Sequence, residues 1–193
     1  MTRAFGRLGL ALLLALGANL TVSGCSQTDA PAACVSEDGG EPISPALLAF
    51  LSRARSAHHI ADQLEQAEPQ RAIQTLEAVI QGPKPSGDLV EAREVLADTR
   101  ARLADLKSRA GRFDEALKDV EAGLTEAREV SYFQGHLFEV RGLVEERRAV
   151  KLEADGDAEG AARAKARALT AFEASMNIQE QVIDRALPEG GAP

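Results

Sequence analysis

The sequence predicts an all-α protein, and three observations carry that expectation. Ala and Leu dominate the apolar residues while β-branched residues are few, a balance that favours closely approaching helices over sheets. From residue 44 onward apolar side chains recur at helical spacing, in segments too long for strands. Breaks rich in Gly and Pro separate those segments: QGPKPSG at 81–87, AGR at 110–112 and DGD at 155–157.

Ser44-Pro45 reads as a helix start, an N-cap residue followed by proline in the first turn. Leu47, Phe50 or Leu51, Ala54, Ala57 or His58, Ala61 and Leu64 then mark one face. Glu68-Pro69 restarts the chain into a second helix carrying Ala72, Ile73, Leu76, Val79 and Ile80. The two prolines of 81–87 forbid continuation. A third helix is expected from Asp88 to Arg109, a fourth from Phe113 to about Val130, a fifth from about Phe133 to Glu153. The sixth extends to about Leu187, and Pro188 ends it. Tyr132 and Phe133 are expected in the loop before the fifth helix, as a hydrophobic plug or a partner contact.

Charge narrows the function. The net charge of −8 leaves no basic footprint for nucleic acid. The many arginines are interleaved with Glu and Asp, which reads as solvated helix faces with i,i+4 pairing.

The N-terminus carries an address. Arg3 and Arg7 precede the apolar run LGLALLLAL at 8–16, which has signal-peptide length and is too short to span a bilayer. Val22-Ser23-Gly24-Cys25 follows. This stretch resembles the lipobox of bacterial lipoproteins: an aliphatic residue, two small ones and the Cys whose thiol takes the lipid. The resemblance implies a signal peptide over 1–24 and lipidation at Cys25. It also implies a flexible tether over 25–43, rich in Ala, Pro, Gly and acids. Multiple acyl chains would anchor the protein stably. Ser26 stands where Asp resembles an inner-membrane retention signal, so in a Gram-negative source the chain is expected at the outer membrane, facing the periplasm. An ordinary secretory signal ending near Ala30-Pro31-Ala32 is the alternative. Cys34 is then an odd thiol in an oxidising compartment. It is a tether residue or an intermolecular disulfide partner; without lipidation, a Cys25–Cys34 bridge replaces both.

The body repeats. EPQRAIQTLEAVI, RFDEALKDVEAGL and DAEGAARAKARAL align on Ala72, Ala116 and Ala161, which lie 44 and 45 residues apart. The middle unit, LADLKSRAGRFDEALKDVEAGL, resembles a tetratricopeptide repeat (TPR). In that pattern Ala104 is the small residue of helix A, Gly111 the turn, and Ala116 and Gly123 the small residues of helix B. Phe113 and Val120 would fill the gaps between layers. The first unit departs from the pattern with Ala67 in place of Gly, the third with Lys165 where a large apolar residue belongs, a contact Phe172 would supply. The resemblance implies a short solenoid of about three hairpins over 44–187, with a tail at 188–193. It also implies a groove lined by helix A, to which Asp98, Ala101, Arg102, Asp105 and Arg109 would belong. Arg102, Asp105 and Arg109 are the candidate partner contacts. They do not match the Lys/Asn set of the carboxylate-clamp groove, so a mixed-charge protein segment or helix is the expected partner.

No catalytic constellation is legible. Asp155, Asp157, Glu159 and Gly160 imitate half of an EF-hand, but Ala166 stands where the bidentate acid belongs, so the stretch is a turn. His58 and His59 point about 100° apart on a helix and cannot share a metal, and His136 has no partner at ligand spacing. Neither metal nor cofactor is expected, and no enzyme. The sequence therefore leads to a membrane-anchored interaction or assembly module of the cell envelope, a role TPR lipoproteins are known to fill. A small-ligand or sensor protein with a pocket between hairpins is the alternative.

Overall fold

The computed structural model describes residues 44–187. The expected signal peptide over 1–24, Cys25, the expected tether with Cys34 and the expected tail at 188–193 lie outside the described residues. Among the described residues there are six helices and no strand: α1 (Pro45–Leu64), α2 (Pro69–Gln81), α3 (Val90–Arg109), α4 (Phe113–Glu126), α5 (Tyr132–Ala154) and α6 (Ala158–Ala186). Three- and four-residue turns fold them into hairpins α1–α2, α3–α4 and α5–α6. Each first helix packs on the next first helix, and each second helix packs on the following first helix. The second helices do not touch one another. The hairpins therefore follow one another in chain order.

Local chemistry sets the turns. Gly111 and Gly156 adopt φ of +76° and +84°, the left-handed region where a side chain is strained. Each turn closes in the same way. Arg112 N–H reaches back to the Lys107 carbonyl at 2.9 Å, and Asp157 N–H to the Leu152 carbonyl at 2.9 Å, satisfying carbonyls that the helix ends leave free. The first turn, with Ala67, stays helical in character: Glu68 N–H bonds the Leu64 carbonyl at 2.7 Å. Ser44 does occupy the N-cap of α1, yet its hydroxyl makes no capping bond; Pro45 alone marks the start. Ser131 caps α5 with its side chain instead.

Two apolar clusters show how the hairpins join. The first unites Phe50, Ala61, Ile73 and Leu76 of α1 and α2 with Leu96, Leu103 and Leu106 of α3. The second unites Ala97, Ala101 and Ala104 of α3 with Ala116 and Val120 of α4 and Leu137 and Val144 of α5. The helix α3 is thus buried on two sides, large residues toward the first hairpin and alanines toward the second. The aligned alanines Ala72, Ala116 and Ala161 are all buried, as close helix packing requires.

The third hairpin is built on small residues. Ala161, Ala164, Ala168, Ala171, Ser175 and Ile178 are buried on α6 with alternating spacings of three and four, a heptad seam. Across it lie Gly135, Gly142 and Ala149 of α5. The Phe172 ring rests on Gly142 so tightly that a Cβ there would collide with it. Lys165, seven residues before Phe172 in the sequence, is exposed and paired with Glu153.

Three expectations need correction. The helix α4 stops at Glu126, with Ala127–Ser131 forming the connection, so it is shorter than its apolar pattern. Tyr132 and Phe133 begin α5 rather than sit in a loop. Phe133 packs on the second cluster, while Tyr132 is 60% exposed and stacks on His136. Finally, the charges are not all solvated. Lys107, Asp119 and Glu145 are buried and paired between helices, because burial in an Ala-rich packing leaves room for long side chains to cross from one helix to the next.

Candidate functional site

Because α1, α3 and α5 are packed in succession, they present a common face to which the sequence assigns its partner contacts. Asp105 is its electrostatic centre. Its side chain is 11% exposed and accepts from Arg102 at 3.1 Å, Arg109 at 2.9 Å and Arg147 of α5 at 2.9 Å. Arg102 also reaches back to Asp62 of α1 at 2.9 Å and to Glu65 beyond its end. Burial disfavours the Arg102 charge, but hydrogen bonds to Glu65 and Asp62 outweigh that and hold its pKa above the usual value. Arg147 donates as well to Ser108 Oγ at 2.6 Å. Three acids and three guanidiniums thus tie α1 to α3 and α3 to α5.

The sequence-chosen trio Arg102, Asp105 and Arg109 is brought together, with a qualified role. Asp105 is enclosed by arginines and orients them. Arg102 divides its donors between Asp105 and the acids Asp62 and Glu65 of the first hairpin. Arg109 retains an exposed edge. Ala101, expected on the same face, is instead fully buried in the second cluster. A one-residue step on a helix turns a side chain by about 100°, and Ala101 belongs to the seam with α4 and α5.

Beside this network the same face holds a hollow of about 310 Å³, lined by Leu51, Ala54, Arg55 and His58 of α1 and Val95 and Asp98 of α3. Sequence reasoning placed Asp98 here and missed Arg55 and His58. Thr99 Oγ1 donates its one proton to the Val95 carbonyl at 2.7 Å. It must therefore accept from His58 Nε2, 3.0 Å away. Nε2 therefore carries a proton, and Nδ1 faces Asp98 at 3.8 Å. His58 is held as a polar wall of the hollow. His59 pairs with Gln63, and His136 with Glu139. The hollow thus has an apolar floor with Arg, His and Asp at its rim.

A second hollow, of about 350 Å³, lies between α5 and α6, lined by Phe138, Arg141, Ala166, Arg167, Thr170, Ala171 and Ala174. It has one aromatic wall. Among the described residues no helix is long and apolar enough to cross a membrane. No protein-family model, no curated protein and no solved structure matches this chain.

Proposed function

We propose that this protein is an exported, lipid-anchored helical-repeat adaptor of the cell envelope, holding a protein partner near a membrane surface. The observation that supports it best is the packing order: first helix on first helix, with Gly111 and Gly156 turning two hairpins alike, as in a short TPR-like solenoid. Such an arrangement leaves a continuous face of first helices for binding. The lipobox-like Val22-Ser23-Gly24-Cys25 supports the address, the outer membrane facing the periplasm in a Gram-negative source. The ion network of α1, α3 and α5 preorganises the face, so a partner need not order it. Its balanced charge favours a mixed or apolar segment over a carboxylate terminus.

The test combines fractionation with cross-linking. Cys25→Ala is expected to move the protein from the membrane to the soluble or unprocessed fraction, and unchanged fractionation would sink the anchor. In intact cells, cross-linking through the native chain is expected to recover a defined partner. Arg55→Glu, at an exposed rim position of the hollow, is expected to lower that recovery several-fold without shifting Tm. Recovery unchanged by Arg55→Glu would show that the partner does not use this face.

A further inference from the structure

The last hairpin exposes apolar surface where the other hairpins bury theirs. Of the nine large apolar side chains exposed among the described residues, six belong to it: Tyr132, Val150, Leu169, Met176, Ile183 and Leu187. Each of the first two hairpins is covered by the helix that follows it, but nothing among the described residues follows α6.

The six are ordered. Leu169, Met176 and Ile183 are seven residues apart, so they form one stripe along α6, and Leu187 continues it one turn on. All four are more than half exposed. On α5, Leu143 and Val150 form a second stripe. Three contacts show that the stripes lie on the same side of the hairpin. Gln179 packs on Gly135, Phe172 on Gly142, and Lys165 bridges to Glu153. Phe172 is one turn from both Leu169 and Met176; Gly142 and Glu153 flank Leu143 and Val150.

The rim of this surface is acidic. Glu173 and Glu180 lie one turn after Leu169 and Met176, Asp184 lies beside Ile183, and Glu146 stands between Leu143 and Val150. All four are exposed and none forms a salt bridge among the described residues. Of the basic side chains at this surface, Lys165 is spent on Glu153, and Arg147, between Leu143 and Val150, on Asp105.

We infer that the open α5–α6 face is a docking site for a basic amphipathic helix, one with an apolar stripe flanked by Lys or Arg. Packing supplies the apolar contact, and unpaired acids select the partner by charge. A second copy of this chain fits poorly, since face-to-face pairing opposes the acids of one face to those of the other. An anionic lipid surface is repelled for the same reason. The inference extends the adaptor reading and rests on it: α5 is itself a first helix, and this surface carries its exposed side, beside Arg147, onto α6.

The probe is a fluorescent synthetic helix with Leu at i, i+3, i+7 and flanking Lys, compared with the same helix bearing Glu in place of Lys. It is titrated against the full-length chain carrying Cys25→Ser, which keeps the protein lipid-free. The Lys helix is expected to bind, and Met176→Lys or the pair Glu173→Lys, Glu180→Lys to weaken it by about tenfold or more. Raising the salt should weaken it as well, because the rim is exposed. Equal binding of the Glu helix, or none of the Lys helix, overturns the inference. So does a wild-type dimer that Met176→Lys dissociates. Displacement by Arg55→Glu and not by Met176→Lys would place the helix over α1 and α3, overturning this inference while sustaining the adaptor reading.

Discussion

Asp119→Ala is expected to lower the stability of the helical body by about 3 kcal/mol, which lowers Tm by roughly 10 °C. Asp119 lies on α4 with its side chain 7% exposed, between Arg100 Nη1 at 2.8 Å and Lys107 Nζ at 2.7 Å, both from α3. Lys107 is itself 8% exposed and also reaches Glu77 of α2 at 2.9 Å. One ammonium thus joins three helices. Removing Asp119 leaves Lys107 with Glu77 alone and takes away the partner of Arg100, and breaking a buried ion pair costs far more than losing a surface pair. The exposed pair Arg148–Asp114, at 3.0 Å, is the control: Asp114→Ala should leave the urea midpoint unchanged. Replacing both partners, Asp119→Leu with Lys107→Met, should recover most of the loss, since no buried charge is then left alone. If Asp119→Ala is as mild as Asp114→Ala, the triad does not hold the hairpins together.

The same group sets a pH dependence. Burial disfavours the Lys107 charge, but hydrogen bonds to Asp119 and Glu77 outweigh it and raise its pKa above the usual lysine value. The folded state therefore binds this proton more tightly than the unfolded chain does. Its contribution is complete below the unfolded lysine pKa, about 10.4, and is lost as pH rises through the higher folded value. Between neutrality and about pH 9 stability should be flat on account of Lys107, with alkaline unfolding beyond. In Lys107→Met the alkaline loss should be shallower.

What the sequence revealed and what it concealed follow from the range of the interactions. The helices, the turns at Gly111 and Gly156, and the small positions Ala104, Ala116 and Gly123 are local patterns, and each is read within a few residues. The ion networks are not local. Arg102 meets Asp62 and Glu65 from 40 and 37 residues away, so the same charges read along the chain as a solvated face. The partner trio was found for its spacing on α3, yet its roles depend on α1 and α5, which no window on α3 contains. The exposed stripe of α6 was masked for a different reason. Its apolar residues fall seven apart beside the buried alanine seam, and a single-window pattern merges the two into one amphipathic helix.

Gly123→Leu is expected to cost about 3 kcal/mol, the upper part of the range for overpacking. A Cβ at this position would stand 2.5 Å from Leu137 Cδ2 and 3.2 Å from Arg100 Cβ. Carbon atoms in contact sit about 3.5–4.0 Å apart, so even the first added carbon requires movement. Leu137 cannot yield into solvent, because it is fully buried. Gly123→Ala tests the same contact more gently. Alanine recovers up to about 1 kcal/mol of helix propensity relative to glycine, which offsets part of the clash, so a net loss near 1 kcal/mol is expected. Shortening the opposing residue should relieve the larger variant: Gly123→Leu with Leu137→Ala should be more stable than the sum of the two single losses, a coupling read from a double-mutant cycle in urea. The position also bears on function. Gly123 lies on the second hairpin and Leu137 on the third, so the contact sets how closely α4 approaches α5 and how the first-helix face continues from α3 to α5. Gly123→Leu should therefore reduce partner recovery by cross-linking even at temperatures where the protein stays folded. A neutral Gly123→Leu, in stability and in recovery, would show that the hairpins are not joined through this glycine and that the repeat register is wrong.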